Sequence, residues 1–278
     1  MEEVVYSADS QLRAPRRFAA ATWSDLRASP PLAWRLFLHT LRTNYRQSLL
    51  GYVWLLLPPL ATTATWVYLN GARVIDVAPT EVPYAVYVLT GTLLWQVFAE
   101  ALQSPLQQLS ASRNILTKSR VPHEAFLLAG LAGVLFNLAV RFAVAVPVML
   151  WFGVPLRASA LLAPAGVASL LLLGFSIGLL LTPTGLLYQD VSRGLTLLVG
   201  FWFFLTPVIY TATESWAASV PARLNPVTPL LVTTRGWLTR GAAEPAPAFL
   251  PVLGLSLLCL GAAWLCYRLA RPHLVARL

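Results

Sequence analysis

Charge is what this sequence has least of. Only 11% of its 278 residues are Asp, Glu, Lys or Arg, where a soluble domain carries roughly 25%. Such a chain lacks the polar surface to face water on all sides. Lysine is almost missing: Lys118 is the single one, the other basic residues being arginines, which reads as codon bias and not as chemistry. Cysteine is nearly absent too. Cys259 and Cys266 fall seven apart in one apolar run, about 10 Å along a helix, too far to bridge, so no disulfide framework and no thiolate metal site is implied. The three histidines, His39, His123 and His273, are far apart in sequence. No G-x-x-x-x-G-K-[ST], H-E-x-x-H or C-x-x-C occurs, so the chain by itself offers no phosphate cradle and little from which to assemble a catalytic site. No internal repeat stands out, against the inverted-repeat design of many secondary transporters. Residues 1–29 are polar and carry Arg13, Arg16, Arg17 and Arg27 with no apolar centre, unlike a signal peptide.

What is present is apolar length. Hydrophobic residues make up 57% of the chain, and a membrane-spanning helix needs about 20 of them in a run. Six segments are read as spans, near 52–70, 84–104, 125–152, 159–182, 195–210 and 249–267. The expected fold is therefore an all-α membrane protein. It divides into a polar N-terminal segment (1–30), an amphipathic segment (31–49) and a six-helix membrane domain (50–278). A loop at 105–123 lies on one side and a longer, proline-rich loop at 211–248 on the other. Within the latter, Pro229–Leu238 is apolar enough for a short re-entrant or interfacial helix. The net charge of +9 is read as orientation and not as nucleic-acid binding. Fourteen basic residues fall on the side of the termini and five on the other, which predicts cytoplasmic termini.

At 100° per residue, Trp34, Phe37, Leu38, Leu41 and Tyr45 form one stripe, with Arg35, His39, Arg42 and Arg46 along its edge. That pattern suits a helix lying in the headgroup layer, with Pro30 and Pro31 marking its start, or a simple basic anchor. In the second span Tyr84, Tyr87, Trp95 and Phe98 share a face about 80° wide, with Gly91 among them and Glu100 nearly opposite. Aromatic faces stack on sugar rings, so this face is either a carbohydrate path or ordinary helix packing. Phe201, Trp202, Phe203 and Phe204 form a denser cluster whose outward member periodicity does not select. Two charges fall within spans, Glu100 and Arg141. Their apparent depths differ, which predicts that they do not pair. The loop at 105–123 either docks a partner or is a solvated turn.

The run Leu41–Pro58, LRTNYRQSLLGYVWLLLP, resembles the opening motif of ABC-2 type permeases that export polysaccharides, O-antigens and teichoic acids, through Tyr45, Arg46, Ser48, Leu49, Gly51, Trp54 and Pro58. Further resemblances follow in that family's order: Gly91 and Trp95; Asn114, Leu116, Lys118, Pro122 and Glu124; Tyr188, Asp190 and Val191, with Gln189 in place of arginine; Thr206, Pro207 and Tyr210, with threonine in place of serine; Asn225 and Pro226. The resemblance implies the ABC-2 exporter fold, with six spans, an interfacial helix (Arg35, Arg42, Tyr45, Arg46) and cytoplasmic coupling helices. It implies a bacterial inner-membrane homodimer joined to two copies of a separate ATPase. That ATPase would hold ATP and Mg, with no cofactor or metal on this chain. Arg113, Asn114, Leu116 and Lys118, and then Tyr188, Asp190 and Arg193, would contact the ATPase. Trp54, Tyr84, Tyr87, Trp95, Phe98, Phe201, Trp202 and Phe204 would line the glycan channel, with membrane lipid outside. Rivals are a drug or lipid exporter of the same fold and a membrane-embedded glycosyltransferase or polymerase.

Overall fold

A computed structural model describes residues 15–46, 50–75, 77–118, 121–211, 224–241 and 243–277. Every regular element among these residues is helical. The helices are α1 (Pro15–Arg46), α2 (Val53–Gly71), α3 (Tyr84–Ala111), α4 (Arg113–Lys118), α5 (His123–Trp151), α6 (Ala163–Leu187), α7 (Gln189–Leu205), α8 (Val227–Thr239) and α9 (Phe249–Arg277). A 3-10 turn at Ala158–Leu162 leads into α6. In an apolar solvent a chain must satisfy its own backbone, and the helix does this within one segment.

Four of the helices are long and apolar enough to cross a membrane: α3, α5, α6 with the turn before it, and α9. The chain is a multi-pass membrane protein. The other two expected spans are shorter and less uniform. α2 has 19 residues and contains Pro58 and Pro59. α7 has 17 residues, begins on Gln189 and Asp190, and ends before Thr206 and Pro207.

α3 is the centre of the bundle. Most of its side chains are buried, from Val86 to Leu109. α6 lies directly on it. A Cβ added at Gly174 or Gly178 would collide with the carbonyl oxygens of Phe98 and Leu102, and one at Gly185 with the Leu106 side chain. Residue numbers rise together along this contact, so α3 and α6 run the same way. Glycines four apart let two helix backbones touch, which matters in lipid, where apolar surface alone does not drive helices together. α5 runs the opposite way, with Gly130 facing Ser104 and Gln108. α9 packs on α6, where Ser176 donates to the Ser256 carbonyl at 3.2 Å. The outward side of α9 carries Leu250, Leu255, Leu257 and Leu258, all exposed, as a lipid-facing surface requires.

α1 begins at Pro15, well upstream of the start expected at Pro30. Both Pro30 and Pro31 lie inside it. An internal proline leaves the carbonyl four residues earlier without its amide donor, yet the helix continues, and just ahead of the prolines Ser29 Oγ donates to the Asp25 carbonyl at 2.6 Å. α1 lies along the first half of α5 through Ala33 and Phe37, which meet Ala125 and Ala129. Trp34, expected in the apolar stripe, is exposed, though its ring is 5.4 Å from that of Phe37. Arg35 and Arg42 are exposed. The side chains of Tyr45 and Arg46, and residues Ser48 and Leu49, lie outside the described residues.

Buried charge ties α1, α5 and α9 together at the end of the bundle that holds α1. Arg268 of α9 pairs with Asp25 of α1 and stands 3.1 Å from the Glu124 carboxylate at the start of α5. Arg271 is 3.2 Å from Asp25. His123 Nδ1 and the Tyr267 hydroxyl are 2.6 Å apart. Removing one member of a buried ion pair costs about 3–5 kcal/mol, because the other charge is stranded.

The glycine contact yields a test. Gly178→Ala is expected to force α3 and α6 apart and lower stability by about 1–3 kcal/mol or more. Gly261→Ala on α9, where a Cβ meets nothing within 4 Å, is expected to hold stability or raise it slightly. Thermal unfolding of the detergent-solubilised protein reads both; equal melting of the two variants would show that the contact is loose.

Candidate functional site

The aromatic face of α3 is buried within its own chain. Tyr87, Trp95 and Phe98 are all enclosed. The Trp95 ring meets Phe203 edge-on at 5.8 Å, and the Phe98 ring meets Trp202 edge-on at 5.2 Å, the geometry preferred by ring quadrupoles. Beyond them, Tyr84 donates its hydroxyl to the Ile209 carbonyl (3.0 Å) and Tyr87 donates to the Tyr210 carbonyl (2.9 Å). In the single chain, the packing alternative accounts for this face. The candidate channel residues that remain exposed are Trp54 on α2 and Phe201 and Phe204 on α7, with Phe201 73% exposed. Trp202 is half-buried.

Arg235 on α8 organises the turn after α7. It is 2% exposed. Its guanidinium donates to the carbonyls of Pro207 (3.0 Å) and Val208 (3.2 Å) and lies 3.7 Å over the Tyr87 ring. Among the described residues no carboxylate comes within ion-pair distance of it. The charge is answered by carbonyl dipoles and by a π-face, a cation–π contact strengthened by desolvation. Burial lowers its pKa to about 10, which leaves it cationic at neutral pH. Asn225 closes the same turn. It accepts from Trp202 Nε1 and from the Val227 amide, both at 3.0 Å, and donates to the Leu205 carbonyl and Thr206 Oγ1. Gly91 admits the Val208 carbonyl, which a Cβ there would strike. Three separate sequence motifs, those at Gly91–Trp95, Thr206–Tyr210 and Asn225–Pro226, thus converge on one knot. α8 itself falls where an apolar helix was expected and is nearly all buried. Arg235 carried no sequence signal beyond being a lone arginine in an apolar run.

Glu100 and Arg141 form an ion pair. Arg141 Nη2 stands 2.5 Å from Glu100 Oε1, while Asn137 donates to Glu100 Oε2 at 3.0 Å. Arg141 Nε also donates to the Leu55 carbonyl at the start of α2 (3.3 Å). This corrects the expectation that they sit at different depths. α3 runs on to Ala111, placing Glu100 about 16 Å from the helix end. The arginine stem leans toward its own helix N-terminus, which closes the remaining gap.

The residues expected to meet a partner lie together at the end of the bundle holding α1. Arg113, Asn114, Leu116 and Lys118 are on α4. Asn114 and Ile115 are exposed, whereas Leu116 is buried against the core. Tyr188 caps the start of α7, Asp190 and Arg193 lie in its first turns, and all three are exposed, with Asp190 and Arg193 3.8 Å apart. The Lys118 side chain lies outside the described residues. Among the described residues no group of three or more His, Cys, Asp and Glu gathers as a metal site would.

A multi-pass helical membrane protein with a buried aromatic knot at one end and exposed loop helices at the other is the class that fold and site define. No family profile matches the chain. It is similar to the O-antigen export system permease protein RfbA of Myxococcus xanthus, 24% identical over 230 residues that cover 80% of this chain and 86% of the relative. Two proteins of the same name from Klebsiella pneumoniae are 23% and 22% identical over 217 residues, 72% of this chain and 77% of each relative. The chain thus resembles O-antigen export permeases over most of its length.

The two sets of aromatics are expected to behave differently. Trp95→Ala should leave a cavity costing about 3–5 kcal/mol, and Arg235→Met should strand the Pro207 and Val208 carbonyls at about 1–3 kcal/mol each. Both variants should fall in membrane abundance and melting temperature. Trp54→Ala and Phe201→Ala should retain both. Immunoblots of membranes with thermal unfolding decide the matter; full abundance of Trp95→Ala would reject the knot as a packing element.

Proposed function

We propose that the chain is the membrane permease subunit of an ATP-binding-cassette exporter that carries O-antigen-type polysaccharide or lipid-linked glycan across the bacterial inner membrane. The observation that carries this reading is the similarity to O-antigen export permeases over most of the chain. In this reading all six apolar helices span, α2 and α7 included, both termini face the cytoplasm, and α1 lies at the cytoplasmic headgroup layer. The 14-to-5 distribution of basic residues supports that orientation.

The chain is not itself the enzyme in this reading. ATP and Mg belong to a separate ATPase, two copies of which meet a permease homodimer at α4 and at the α6–α7 turn. Exposed Asn114, Ile115, Tyr188 and Arg193 support that placement. Trp54, Phe201 and Phe204 point away from the packed core, and a second copy set against α2 and α7 would enclose a path lined by these rings. The α3 rings then hold the wall of that path and do not form its surface.

Complementation tests the export reading. Expressed with the ATP-binding subunit of an O-antigen export system in a strain lacking its own export permease, the chain should restore surface polysaccharide on silver-stained gels. Restoration without any ATPase partner, or specific azido-ATP labelling of the isolated permease, would sink the two-subunit scheme. Ile115→Asp, on the exposed side of α4, should cut ATPase co-purification and export at least tenfold with unchanged melting. Intact capture would move the contact elsewhere.

A further inference from the structure

A cavity of about 330 Å³ opens between α1, α3 and α5, on the far side of α3 from the aromatic knot. Its polar lining is Thr40, Glu100, Ser104, Gln107, Gln108 and Asn137; its apolar lining includes Phe37, Leu41, Leu55 and Phe136. The volume falls at the lower end of small-molecule sites, about 300–1,000 Å³. Ser104 is buried with its hydroxyl lacking a protein partner. A buried hydroxyl of this kind calls for a bound water or ligand. Gln107 donates to Gln103 at 3.2 Å, which leaves its own carbonyl oxygen to accept. Among the described lining residues Glu100 alone is charged, and Arg141 behind it answers that charge at 2.5 Å. The lining is therefore rich in amides and hydroxyls, neutral overall, and presents a carboxylate. Such a surface matches vicinal hydroxyls, and its described lining holds no cation to bind a phosphate.

We propose that this cavity binds the sugar headgroup of a membrane-anchored glycolipid, with room for one sugar ring or a disaccharide. The amides, Ser104 and Glu100 take the hydroxyls. Phe37 and Phe136 offer faces to the ring, and the apolar edge from α1 and α2 leads the lipid tail outward. Resting on the export reading, the site lies in the cytoplasmic leaflet beneath α1, where a lipid-linked glycan would be received before transport.

Gly133 gives a clean probe. It lines the cavity, and a Cβ there meets nothing within 4 Å, so a larger side chain fills the space without striking the bundle. The experiment photolabels the full-length protein, in nanodiscs of phosphatidylethanolamine and phosphatidylglycerol, with a diazirine-tailed alkyl β-maltoside, and maps adducts by mass spectrometry. Labelling is expected on peptides of α1 and α5, competed by dodecyl maltoside and not by dodecylphosphocholine. Gly133→Leu should reduce it at least tenfold, and Gly133→Ala far less. Should Gly133→Leu fail to fold, exposed Gln107→Leu serves in its place, with an expected loss of at least fivefold. Equal labelling of wild type and filled variants means a hydrated cavity only and overturns the proposal. Competition by dodecylphosphocholine means a phospholipid site and overturns it too. Competition by free maltose as strong as by dodecyl maltoside removes the membrane anchor from the proposal. Surface polysaccharide in the complemented strain is scored separately. A chain that restores export yet labels nowhere on α1 or α5 loses the pocket alone, whereas one that labels there and restores no export loses the export reading alone.

Discussion

The approach of α6 to α3 is the constraint on which the other contacts depend. In lipid, two apolar helices gain little by hiding from their solvent, so they stay together through close contact and shared polar atoms. Gly174 and Gly178 bring the α6 backbone onto the carbonyls of Phe98 and Leu102. With α6 held there, Ser176 reaches α9 and Gly166 admits Thr234 of α8. The position of α8 places Arg235 beneath the Pro207 and Val208 carbonyls. Separating α3 from α6 by a methyl's width would therefore disturb α9 and the aromatic knot together, although neither touches Gly178.

Three buried arginines show three ways of keeping a cation out of water. Arg268 is answered by the carboxylates of Asp25 and Glu124, and so fastens α1, α5 and α9. Arg141 is answered by one carboxylate and one carbonyl, and links α5 to α3 and α2. Arg235 has two carbonyls and a ring. An isolated buried charge costs far more than a paired one. Each arginine is thus bound to the arrangement around it, and all three join helices distant in sequence.

Helix periodicity was enough to show that Tyr84, Tyr87, Trp95 and Phe98 share a face. It was silent on what covers that face, because burial is decided by α7 and α8 and not by α3. The same limit explains Glu100 and Arg141. Hydropathy boundaries put the two charges at different depths, but α3 continues past the apolar run through Gln107 and Gln108 to Ala111, and side-chain length spans the rest. At Pro30 and Pro31 a local rule misled. Proline favours a first turn, yet packing of Ala33 and Phe37 on α5 holds the helix on both sides of the pair. The apolar character of α8 was legible in Pro229–Leu238, while the role of Arg235 within it depends on carbonyls some 28 positions back.

The motifs that relate this chain to export permeases serve mostly as structure. Gly91 admits a carbonyl, Trp95 packs on Phe203, Asn225 closes a turn and Glu124 neutralises Arg268. A substitution at any of them strands a buried polar group or opens a cavity, and either penalty is paid by the fold whatever the cargo. The exposed rings Trp54, Phe201 and Phe204 face no such constraint from the chain's own packing. Their side chains contribute little to holding the bundle, so they are free to match what the protein handles. In the export reading, selection among cargoes would fall to these exposed rings, where the bundle's own packing leaves the side chains free to change.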